Sequence, residues 1–190
     1  MAYSNSFDVL GLIKSWIKAG AEALKPTFVE MRDNAPNTGP GVLLLGFSGS
    51  SIAGVGVTGG ISLLLDNKGN VVIQGTLGGG GGFWSPASGS FNAGWYPDAP
   101  DSYSIGPKTN QMGVAYGGSP RTNYLTVGYD RLESTSDDGT TYGANQISLG
   151  FSNKAPLNYD YHDFETSSRK INDFNIYDTM ANIYHAIKDW

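Results

Sequence analysis

The sequence predicts a mainly β protein: an antiparallel up-and-down meander of about eight strands closing into a small barrel, flanked by an N-terminal and a C-terminal amphipathic helix. Three observations predict it. From Val42 to Ser152 polar and apolar residues alternate with period two, broken by short turns. Glycine, with 27 of 190 residues, has about twice its usual share and is interleaved with Val, Ile, Leu and aromatics. Apolar residues recur every three or four positions only near the two ends.

Taken in order, Ser6 to Lys25 reads as a helix. Phe7, Leu10, Ile13, Ile17, Ala21 and Leu24 share one face, and Pro26 stops it. Its first residues have no basic stretch leading into a continuous apolar run, so no Sec signal peptide is expected. "DNAPNTGPG", Asp33 to Gly41, reads as a linker. Strands are expected near 42–47, 51–66, 70–84, 89–96, 102–106, 111–117, 122–134 and 141–152, joined by turns such as "DNKGN" and "SDDG". From about Thr166 to Lys188 helical spacing returns, with Ile176, Met180, Ile183 and Ile187 in one stripe. The chain thus divides into residues 1–40 as helix and linker, 41–152 as barrel, and 153–190 as a helix packed on it, within one domain.

Register follows from side-chain size. A hairpin centred on Lys68 sets Leu65 against Val71, Leu63 against Ile73, Ile61 against Gly75, Val57 against Gly79 and Val55 against Gly81. Nearly every bulky residue away from the turn then meets a glycine. The other face is stripped to Ser, Thr, Gln and Gly. In that register "GGGGG", Gly78 to Gly82, is strand rather than linker, shaped for curvature and closure or for close approach of another element. A second hairpin, centred on Asp138, pairs Tyr129 with Ile147, Val127 with Leu149 and Leu125 with Phe151. The apolar faces, Val55, Val57, Ile61 and Leu63 among them, are expected to form the barrel core.

Composition excludes several chemistries. A net charge of −5 without a Lys/Arg cluster argues against nucleic-acid binding. No cysteine is present, so disulfides, thiol catalysis and Cys-ligated zinc fall away. No window approaches 18 apolar residues, so no transmembrane helix is expected, which leaves the cytoplasm or a non-Sec export route. The glycine run precedes Phe83, Trp84, Ser85 and Pro86 rather than a helix, so it is no phosphate loop, and no cofactor is expected. "GFSGS", Gly46 to Ser50, departs from a nucleophile elbow at Gly49.

Two constellations carry candidate chemistry. Asp160, His162 and Asp163 in "NYDYHDFE" offer oxygen and imidazole ligands to a divalent metal, or else place acids before a helix N-terminus. Trp84, Trp95, Tyr96 and Tyr103 either pack a barrel mouth or form a stacking platform for a sugar or small apolar ligand.

"GVTGGISLLLDNKGNVVIQGTLGGGGGF", Gly56 to Phe83, resembles a segment near the C-terminal ends of bacterial polymorphic toxin and RHS-type proteins, through Gly59, Gly60, Asp66, Gly69, Asn70, Gly75 and Gly78 to Gly82. The resemblance implies a bacterial effector or toxin-associated barrel and carries over no catalytic residue. The leading expectation is a non-enzymatic β-barrel that binds a protein partner or small ligand. The alternatives are a membrane-inserting, pore-forming barrel, supported by strands of ten or more residues with unlike faces, and a metal-dependent enzyme using the Asp160–Glu165 cluster.

Overall fold

The computed structural model describes residues 39–117, 125–152, 159–179 and 181–182. Six antiparallel strands occupy them: β1 (Val42–Asp66), β2 (Asn70–Tyr96), β3 (Lys108–Gly117), β4 (Leu125–Thr135), β5 (Thr141–Ser152) and β6 (Tyr159–Asn175). The hydrogen-bonded order is β1-β2-β5-β4-β3-β6, and a further pairing of β2 with β6 closes the ring.

Closure depends on two strands long enough to serve twice. Along one edge β2 pairs with β6 from Asn70 to Gly82, then with β5 from Ser88 to Trp95. Its other edge carries β1 throughout, interrupted by register shifts between Ser50 and Gly54. There β1 folds back on itself. Gly54 sits at φ +85°, a left-handed conformation that glycine adopts without steric cost. Thr58 Oγ1 donates to Gly49 O at 3.3 Å, and a Cβ on Gly46 or Gly60 would strike the backbone of the opposing limb.

Both predicted hairpin registers are present, including Val57 opposite Gly79 and Val127 opposite Leu149. The strand count differs. Predicted strands 42–47 and 51–66 are two limbs of β1, and 70–84 and 89–96 are two limbs of β2, because the β1–β2 pairing shifts register at the bend and then resumes. The expected strand at 102–106 is a short 3-10 turn, Ser102–Ser104, capped by Asp101.

The C-terminal expectation changes most. From Thr166 to Asn175 the chain is strand, not helix, and the barrel runs to residue 175 rather than ending at 152. His162, Phe164, Thr166 and Ser168 alternate inward, and pairing with β2 along the segment, joined by β3 as far as Ser167, supplies ladder bonds in place of those of a helix. Helical residues begin at Ile176, and the rest of the predicted C-terminal helix lies outside the described residues, as does the N-terminal one.

The face assignment is reversed over much of the barrel. Val55 is 80% exposed, and Val57, Ile61, Phe91, Leu125, Val127, Ile147, Leu149 and Phe151 also lie on the outer surface. The buried apolar cluster is instead confined to one end of the lumen. Val42, Leu44, Leu64, Val72, Tyr96, Leu132 and Ala144 meet there beneath Ala99 and Ile105 of the β2–β3 connection.

Asp66 secures that plugged end. Its buried carboxylate accepts from the backbone N–H of Lys68 (2.9 Å), Asn70 (2.9 Å) and Ser102 (3.0 Å), from Asn70 Nδ2 (2.9 Å), and from Ser102 Oγ (3.2 Å). It thereby joins the β1–β2 turn to the connection covering the plug. Asp66→Ala, which orphans these donors, is expected to cost about 3 kcal/mol, measured by chemical denaturation, with Asp66→Asn milder.

In the β4–β5 turn, Asp138 accepts from the Ser136 hydroxyl and the Thr140 N–H, which holds its carboxyl below the usual range. A depressed folded-state value contributes stability above the unfolded value, lost as pH falls through the folded one. The Thr140 amide resonance should therefore shift with acid at a pH below about 3.9.

Candidate functional site

Two surfaces carry the chemistry of the barrel, its lumen and its outer wall. The lumen wall away from the plug is polar and stripped. Ser48 Oγ lies 3.1 Å from Ser90 Oγ, Ser50 Oγ 2.7 Å from Ser88 Oγ, and Asn92 Nδ2 donates to Ser48 Oγ at 2.7 Å. Polar pairs continue to the capped end, where Thr76 Oγ1 meets Ser168 Oγ at 3.2 Å and Thr109 Oγ1 donates to Ser134 Oγ at 3.1 Å, beside Gly106 and Pro107 of the capping connection.

One transverse row holds a buried Asp–His contact. Strand pairing lines up Gly94, Gln146, Asp130, Gly113, His162 and Gly82 around the wall. Asp130 Oδ1 lies 2.7 Å from His162 Nε2, with the two side chains 2% and 12% exposed. Gln146 Nε2 donates to Asp130 Oδ2 at 2.9 Å. Asp130 and His162 are separated by β3, and their contact exists because Gly113 stands between them. A Cβ at Gly113 would collide with the Asp130 carboxylate. The His162 ring packs near Phe164, with centroids 5.6 Å apart.

The outer wall is the inverse. Phe47 and Phe91 face each other across β1 and β2 with centroids 5.2 Å apart. Leu149 of β5 and Val127 and Tyr116 beyond it extend that row, and Tyr129 and Ile147 form the next. The belt thus runs unbroken from β1 through β2, β5 and β4 to β3. Toward the plugged end it gives way to Arg131, Glu133 and Asn145. On β6 it is broken by outward Asp163 and Glu165.

The sequence-predicted site residues do not assemble. His162 points into the lumen while Asp163 points out, because neighbouring residues of a strand face opposite ways. The Asp160 side chain lies outside the described residues. Among the described residues no group of three metal-ligating side chains converges. Trp95 lies outside, against Gly41, whereas Tyr96 is buried in the plug. Tyr103 is exposed, with Lys170 Nζ 5.6 Å from its ring centroid, and the Trp84 side chain lies outside the described residues.

What sequence reasoning missed was His162's true partner. Asp130 shares a strand face with Thr126 and Gly128, the stripped face of the second hairpin, so an acid there was a visible signal.

No known protein family matches the sequence, and no curated protein matches it. Among solved structures the chain is similar to the amphioxus green fluorescent protein GFPA1, at 10% identity and a TM-score of 0.25, over 64% of this chain and 93% of that one. It is also similar to the green fluorescent protein lanGFP of Branchiostoma lanceolatum, at 11% identity and a TM-score of 0.23, over 74% and 65%. Among the described residues no helix is long and apolar enough to cross a membrane, which says nothing of crossing by strands.

Asp130→Ala leaves the His162 ring and the Gln146 amide without their shared buried partner and should cost about 1–3 kcal/mol. Gly113→Ala should destabilise too by forcing the carboxylate aside, and its effect should largely vanish in the Asp130→Ala background. A double-mutant cycle in denaturant measures that coupling.

Proposed function

We propose that this chain is a membrane-seated β-barrel whose outer wall lies against acyl chains and whose lumen is closed to ion flow. The carrying observation is the inverted distribution of side chains over one half of the barrel. Ser, Thr, Asn, Gln and the Asp130–His162 pair face inward, while Phe47, Val55, Val57, Phe91, Val127, Leu149 and Phe151 face outward. In water each such outward side chain forgoes roughly 1.5–3 kcal/mol of burial, and water-soluble monomers rarely expose a contiguous apolar patch of more than a few hundred Å².

Three further features support lipid as the occupant. A protein partner covers one side of a barrel, whereas this belt continues across β1, β2, β5, β4 and β3. β2, β5, β4, β3 and β6 form a hydrogen-bonded ring in which each has a strand partner on both edges, as a bilayer demands of a wall. β3, β4 and β5 contain 10, 11 and 12 residues, near the 9–11 that a tilted transmembrane strand needs. β6, with Asp163 and Glu165 outward, marks the side turned away from acyl chains. The plug of Tyr96, Leu44, Leu64 and Leu132 blocks the axis, so the barrel serves as an anchor or scaffold in the bilayer rather than as an open pore.

Flotation with phosphatidylcholine–phosphatidylglycerol vesicles tests this reading. The chain should float with lipid and remain there in high salt. Leu149→Arg should weaken the membrane-inserted state by about 2–4 kcal/mol, while Gly143→Arg, outside the belt, should leave it unchanged. Planar-bilayer recordings should show no steady conductance. A monodisperse, detergent-free monomer that sediments away from vesicles would sink the proposal.

A further inference from the structure

Inside the barrel, between the apolar plug and the Asp130–His162 row, lies a cavity of about 60 Å³. All six strands contribute to its wall, and no charged side chain lines it. Its polar lining consists of hydroxyls and amides, among them Thr58, Gln74, Asn92, Gln111, Gln146 and Thr166. Gln74 is the informative member. It is only 7% exposed, its side chain lines the cavity, and among the described residues its amide makes no hydrogen bond. A buried primary amide without a partner forfeits the hydrogen bonds it made in water, so the site suits something that supplies hydrogen bonds.

A second cavity of about 280 Å³ lies beside the connection that caps the plugged end, lined by Val72, Tyr103, Ile105, Pro107, Asp137 and Lys170 among others. Gln74 and Ser168 line both. At this same place the β2–β6 ladder slips, since Ile73 pairs with Asn172 but Gln74 pairs with Lys170. The two cavities therefore meet at a ladder irregularity, with Gln74 and Ser168 between them and Lys170 on the side of the second. The axial approach from the plugged end is filled by Tyr96, Leu44, Leu64 and Leu132.

We infer that the lumen cavity is a binding site for a small cluster of water molecules, and that water enters sideways through the β2–β6 seam past Gln74 and Ser168. The chemistry selects water over ions. An ion entering this uncharged site would lose hydration without gaining a counter-charge, whereas water needs two to four polar partners and little room. The inference stands apart from the membrane reading, since it rests on the lumen alone.

The test uses the full chain in detergent micelles, with water itself as the probe. Water–protein NMR cross-peaks should appear at the Gln74 and Gln111 side-chain amides. Gln74→Leu should abolish the Gln111 cross-peak, and Ser168→Val, which narrows the seam from β6, should slow hydrogen exchange of the Gln111 side chain severalfold. Absence of the cross-peaks in the unaltered chain would overturn the site. Exchange that is unchanged in Ser168→Val but accelerated in Tyr96→Ala would overturn the lateral route in favour of an axial one. Should Gln74→Leu fail to fold, the unaltered chain and Ser168→Val still decide both points.

Discussion

The backbone of β6 lies directly against the glycine run of β2, and the rest of the barrel is organised around that contact. Gly78, Gly80 and Gly82 pair with Thr166, Phe164 and His162, and a Cβ at any of them would run into a β6 carbonyl oxygen. Five consecutive glycines in a strand give up conformational entropy on ordering. What they gain is the seam that converts an open sheet into a ring with no free edge between β2 and β6. Replacing that seam with ordinary side chains would push the strands apart and open the wall.

Closure then constrains the interior. A ring this small encloses little more than the side chains that line it. Gly46, Gly60, Gly94, Gly113, Gly128 and Gly150 join Ser, Thr and Asn on the inward face because larger groups would meet backbone or one another. The few long inward side chains have space made for them. Gly113 accommodates Asp130, and Gly69 lies beneath Tyr177 and Ile176 where the chain leaves the barrel. Apart from Ile52 and Phe164, bulky apolar residues are excluded from most of the lumen and occupy the outer wall, until the plugged end, where the β2–β3 connection caps the opening and apolar packing inside is restored. The two halves of the barrel thus follow opposite solvation rules, and the Asp130–His162–Gln146 row lies on the polar side of that division.

The candidate site was only half legible in the residues. His162 stood out as a titratable group in a polar cluster, but its sequence neighbours Asp160 and Asp163 drew attention because they were near in the chain. In a strand, adjacent side chains point to opposite faces, so local density of acids does not make a ligand set. The partners that matter come from β4 and β5, 32 and 16 positions away from His162 along the chain. Only the ring order places them in one row. The aromatic residues failed for the same reason: Trp95 and Tyr96 are adjacent in sequence and on opposite sides of the wall.

By itself the sequence determined the antiparallel strands, both hairpin registers and the assignment of the glycine run to strand. These rest on turns and on size complementarity between segments a few residues apart, which are local and self-consistent. It could not determine which face was inside. A period-two pattern shows that two faces differ, and inverting the barrel leaves the pattern unchanged. Only the ring decided that, because its lumen admits the stripped face and leaves the bulky one outside. The tertiary structure likewise decided β6, whose helical signals at Thr166–Ser168 lost to ladder bonds from β2 and β3 on either side. Those partners lie dozens of residues earlier in the chain, so no local pattern in residues 159–175 could report them.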